Sequence, residues 1–140
     1  MNVMLRIRST QRYAGEKAEH TELMSQGTLR QEGDTLYLRY AESAITGLQG
    51  TTTTFAVQPD RIVLSREGAL RSEMHFRVGE RHESLYNTGM GVCMVTIWTE
   101  KLQNHLQANG GTFSVRYAIS VEDAAVGTIT YRIDVTPLEG

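Results

Sequence analysis

This 140-residue chain has one cysteine, no long apolar run and almost no surplus charge. Cys93 stands alone, which excludes an intrachain disulfide and fits a reducing compartment. Fourteen Lys+Arg against sixteen Asp+Glu leave a net charge of −2, which lacks the basic footprint of a nucleic-acid binder, where a domain pI above about 9 is usual. Nor does any stretch approach the roughly 18 apolar residues of a membrane helix. The first ten residues mix charged and apolar side chains, so they lack the apolar core of a secretory signal, and a cytoplasmic protein is expected. Metal ligands are scarce too: His20, His75, His82 and His105 show no HxH or HExxH spacing and CxxC is missing, so neither metal nor cofactor is expected. Low-complexity tracts, internal repeats and linkers are missing as well, and the length suits a single domain spanning residues 1–140.

What the chain does have is a period of two. Val3, Leu5 and Ile7 alternate with Arg6 and Arg8, as in a strand with one buried face. The same alternation recurs at Leu36-Leu38-Tyr40, Phe55-Val57, Ile62-Leu64, Met74-Phe76-Val78, Phe113 to Val121 and Ile129 to Val135. With a weaker segment over His20 to Leu29 and another over Gly91 to Leu102, nine strand candidates result. Turn signals separate them: Gln31-Glu32-Gly33-Asp34, Gln58-Pro59-Asp60, Glu67-Gly68 and Asn109-Gly110-Gly111. Gly47 and Gly50, flanking the start of the Thr51 to Thr54 run, mark a bulge or a sharp corner. Connections this short exclude crossover helices, and only Glu100 to Ala108 would permit a turn of helix. Consecutive one-sided strands expose an apolar face unless the sheet closes. The expected fold is therefore all-β, an antiparallel meander closed into a barrel of about eight or nine strands.

One strand departs from one-sidedness. From Gly91 to Trp98 both faces are apolar, with Val92, Met94 and Trp98 on one and Cys93, Val95 and Ile97 on the other. Such a strand needs outside cover. The preceding loop folded back would supply it in a monomer, and a second copy would supply it in a homodimer.

The most polar segment is the connection from Gly79 to Gly91, where Arg81, His82, Glu83, Ser84, Tyr86, Asn87 and Thr88 stand close together. Arg81 as a donor fork and His82 as a switchable group could hold an anionic or polyhydroxylated ligand. The alternative is that a long connection uses these groups to satisfy its own backbone. A triad from Ser84, His82 and Glu83 is excluded, because neighbours on an extended chain face opposite ways. Arg71, Glu73, His75 and Arg77 form an outer stripe, with Arg66 or Glu67 as neighbouring-strand partners. Twelve of the fourteen basic residues are arginine, yet no nucleic-acid motif accompanies them. Tyr40, Tyr117 and Tyr131 fall on the inward parity, so their hydroxyls either form a polar spot in a packed core or line a cavity.

Taken in order, Gly50-Thr-Thr-Thr-Thr-Phe55, Asp60-Arg-Ile-Val-Leu-Ser-Arg-Glu-Gly68 and Arg81-His-Glu-Ser-Leu-Tyr-Asn-Thr88 resemble the YwiB-like family of bacterial domains of unknown function. The resemblance continues through Asn109-Gly-Gly111 and Gly127 to Val135. It implies a calycin-like, lipocalin-related barrel and carries over no catalytic residue. Calycins commonly hold a small molecule inside the barrel, an analogy of fold only. The resulting expectation is a non-enzymatic binder of a small amphipathic or anionic molecule, with Arg81, His82, Glu83 and Tyr86 at the rim and Tyr117 and Tyr131 within. Its rival is an interaction module that uses the strand from 91 to 98. Neither nucleic acid nor membrane is an expected partner.

Overall fold

The computed structural model describes residues 1–13, 15–43, 48–87 and 90–138. Ten strands follow in sequence: β1 Asn2–Tyr13, β2 Glu19–Glu32, β3 Thr35–Ala41, β4 Thr51–Val57, β5 Ile62–Gly68, β6 Ser72–Phe76, β7 Arg81–Asn87, β8 Val92–Gln107, β9 Gly110–Val121 and β10 Ala124–Pro137. Every described pairing is antiparallel. The order runs β6-β5-β4-β3-β2-β1-β10-β9-β8-β7, a meander that β1–β10 pairing joins end to start. This is the closed antiparallel barrel that the alternation implies, and it agrees with the lipocalin-like fold that the resemblance implies. No helix among the described residues is long and apolar enough to cross a membrane.

Two segments differ from the sequence expectation. The polar connection before β8 is itself a strand, β7, which raises the count from nine to ten. Its polar side chains lie on both faces, so hydropathy carries no period there, and pairing with β8 decides its conformation. Residues 100–107 are not helical either but continue β8 past a bulge at Thr99/Lys101. There β9 supplies a full ladder, and tertiary pairing outweighs local propensity.

Inward residues form registered tiers. Leu36, Val57, Ile62 and Phe76 stand side by side, as do Leu38, Phe55, Leu64 and Met74 one tier away. From the facing wall Val3, Leu5, Phe113, Val115, Ile133 and Val135 complete a packed apolar end. Phe55 and Phe113 meet edge to face at 5.3 Å there, so side chains fill this part of the lumen. The third tier is polar. Tyr40, Thr53, Arg66 and Ser72 are successive register partners, and on β1 the inward series Val3, Leu5, Ile7 likewise turns into Ser9 and Gln11. The barrel is thus apolar at one end and polar at the other.

Turns set the corners. Gly50 has φ 88° immediately before β4, the sharp corner expected there, while Gly47 lies outside the described residues. Between β9 and β10 the two-residue connection Glu122-Asp123 has φ 49° and 66°, the primed turn whose twist suits a hairpin. Neither residue is glycine, so both carry a steric cost. Asp123→Gly is expected to stabilise the fold by about 0.5–1 kcal/mol, read as a higher urea midpoint with an unchanged slope.

The one incomplete junction is β6–β7. Among the described residues, backbone pairing across it is confined to Arg71 and Asn87, which exchange bonds of 3.0 and 3.1 Å. Farther along, Gly79 and Glu80 bond to Thr99 of β8 instead. A seam is left between them.

Candidate functional site

The polar end of the barrel holds a cavity of about 380 Å³. Strands β1 and β2 contribute Ile7, Ser9, Gln11, Thr21 and Leu23 to its wall. Facing them are Tyr40, Glu42, Arg66, Tyr86 and Tyr131, one of each charge among three phenols. Strand parity explains this grouping. Glu42 continues the inward series Leu36, Leu38, Tyr40 one residue past the end of β3, and Arg66 continues Ile62, Leu64 on β5.

Glu42 is buried at 7% exposure and accepts a bond from the Thr53 hydroxyl at 3.1 Å. Tyr40 is its second donor: burial, and then the neighbouring Glu42 charge, push the phenol well above its ordinary range. Burial by itself would lower the pKa of Arg66, but Tyr131, Tyr86 and Tyr40 more than offset this and keep the guanidinium charged. The phenols of Tyr131 and Tyr86 lie beside the Arg66 guanidinium, and Tyr117 lies against Tyr131 from below. Burial raises Tyr86 and Tyr117 as well, so both phenols stay protonated near neutrality. One atom is left over. Arg66 Nε is buried with no hydrogen-bond partner, a costly arrangement for a group that can only donate.

Of the residues expected from sequence, Tyr86 and Tyr131 line the cavity and Tyr117 packs behind Tyr131 with ring centroids 6.3 Å apart. The structure does not bring Arg81 and Glu83 to the mouth. Both lie exposed on the outer face of β7 and pair with each other at 3.2 Å, because alternate residues of a strand point oppositely. Cavity-lining residues do not include His82. Its ring is half-buried in the seam and stacks on His75 at 4.4 Å, and its Nδ1 accepts the His75 backbone N–H at 3.4 Å. Thr88 lies outside the described residues. Glu42 and Arg66 are the residues that sequence reasoning passed over. Arg66 is no partner of the outer stripe, and its inward parity with Ile62 and Leu64 was the signal that marks it. In the stripe itself Arg71, Glu73 and Arg77 are exposed as expected while His75 is half-buried, with Arg77 near Asp60 at 3.3 Å and Glu73 near His75 at 3.6 Å.

The seam histidines predict a pH response. Burial first, then the neighbouring His75, lowers the His82 pKa, while Glu73 opposes the shift. The folded state therefore binds fewer protons than the unfolded chain around the ordinary value of 6.5, and acidification through that region favours unfolding. Protonated Nδ1 could not accept the His75 N–H. The thermal midpoint is expected to fall between pH 7.5 and 5.5, and to fall less in His82→Phe, as scanning calorimetry would show.

On the outer face, the expectation that the segment before β8 folds over that strand is corrected: the segment is β7, alongside it. Cys93, Val95 and Ile97 turn toward the lumen, whereas Trp98 is 48% exposed and Val92 and Leu85 are more so.

Comparison with known proteins agrees with the architecture. The crystal structure of YwiB protein from Bacillus subtilis superposes with a TM-score of 0.78 at 18% identity, covering 97% of this chain and 92% of that one. No curated protein matches. A family model described as a domain of unknown function, DUF1934, matches residues 5–133. With that match spanning nearly its whole length, the chain belongs to the DUF1934 family.

Proposed function

We propose that this barrel is a non-catalytic binding protein for a small amphipathic or anionic molecule, held at its polar mouth. The observation that carries the reading is the charged, half-buried Arg66 within a cavity walled by Tyr40, Tyr86 and Tyr131, its buried Nε unpartnered. A barrel built only for stability would gain from an apolar residue at that inward position. Phenols and aliphatic side chains share the wall, which suits a ligand with both polar and apolar parts. Among the described residues no His or Cys lines the cavity to activate a nucleophile, which supports binding over chemistry.

Exposed Leu85, Val92 and Trp98 favour a second reading, an interaction module that docks a second copy through the outer face of β7 and β8. Native mass spectrometry of freshly purified protein separates the two. A small added mass, lost on denaturation, is expected for the binder. A dimer mass without added ligand would favour the interaction module, and bare monomer in repeated preparations would count against both.

A further inference from the structure

Arg66 borders two spaces. It lines the mouth cavity and also a groove of about 450 Å³ over the β6–β7 seam, shared with Ser65, Arg71, Ser72 and Asn87. Arg66 and Ser72 line this groove beside the bridged pair of the seam, Arg71 and Asn87. Arg66 and Ser72 are register partners, so their side chains start from neighbouring points on the same face. Both carry a buried polar atom without a partner, Arg66 Nε and Ser72 Oγ.

These two vacancies share one chemistry. Nε–H can only donate, and a serine hydroxyl next to it can donate to the same atom. Tyr86 and Tyr131, on the same cavity wall as Arg66, each carry an O–H that can donate as well. Glu42, the one carboxylate of the cavity wall, already accepts from Thr53, and for the donors around the Arg66 cation a further anionic oxygen is the partner that gains most. We propose that the seam beside Arg66 and Ser72 is an oxyanion site that takes the carboxylate head of a ligand whose apolar body lies in the mouth cavity. This rests on the reading of the mouth as a binding site. One negative charge is preferred to two, because Glu67 and Glu73 also line the groove and would repel a dianion.

Octanoate, octanol and octyl phosphate, titrated by calorimetry, test the proposal. Octanoate is expected to bind at least tenfold more tightly than octanol and more tightly than octyl phosphate. Arg66→Met should erase the preference for octanoate over octanol, and Ser72→Ala should weaken octanoate severalfold. A thermal midpoint for Arg66→Met no lower than that of the parent shows that the loss is not unfolding, and Arg66→Lys, which keeps charge but not the planar fork, should recover only part of the affinity. Equal binding of octanoate and octanol, or an indifferent Arg66→Met, overturns the oxyanion site and leaves the mouth reading standing. Tighter binding of octyl phosphate overturns the choice of carboxylate. If none of the three binds and the native mass is bare, the site fails together with the reading beneath it.

Discussion

Phe76→Ala is expected to cost about 3–5 kcal/mol, the range for removing a fully buried aromatic ring. Phe76 is 0% exposed at the end of β6 and packs on Tyr117 at 4.8 Å. Tyr117 in turn stacks on Tyr131, so one column of rings runs from the apolar core to the wall of the mouth cavity. Truncation leaves a void that rigid β-walls close poorly. It also removes the support beneath Tyr117. Urea unfolding should show a lower midpoint at near-constant slope, and any ligand found at the mouth should bind more weakly to the folded fraction. Phe76→Leu, which keeps most of the volume, should lose much less.

Gly27→Val should be nearly as damaging, at about 3 kcal/mol, for the opposite reason of overpacking. A Cβ at Gly27 would stand 2.5 Å from the Arg39 carbonyl oxygen, 2.8 Å from Leu5 Cδ1 and 3.2 Å from Tyr40 Cβ. Leu5 can rotate away. The Arg39 carbonyl belongs to the backbone of β3, so that strand must shift, carrying Tyr40 from its place in the cavity wall. The variant should lose both stability and the mouth geometry, detectable as a lower thermal midpoint with altered tyrosine near-ultraviolet dichroism. Gly27→Ala should show the same direction at smaller size.

Much of the candidate site was legible along the chain, and what was missed was missed for identifiable reasons. Inward parity placed Tyr40, Tyr117 and Tyr131 correctly, since alternation follows from strand geometry. The same rule, extended one step beyond the apolar residues of β3 and β5, reaches Glu42 and Arg66. A charged residue at the end of a buried series reads like the start of a turn, so only the closed barrel shows that both remain inside. For Arg81 and Glu83 the difficulty was the element itself. A segment polar on both faces carries no hydrophobic period, and β8 had to be in place before the alternation of β7 had a meaning.

By itself the sequence determined the all-β meander, the closure that its one-sided strands demand, and which residues of most strands face inward. These follow from a period of two and from short turns, both local properties of the chain. Tertiary structure decided which strands close the barrel and that the β6–β7 junction is left as a seam. It also decided that a guanidinium, a carboxylate and three phenols from four different strands and their ends converge on one mouth. Those outcomes depend on the pairing of β1 with β10 and on side chains meeting from strands distant in sequence, which a local pattern does not encode.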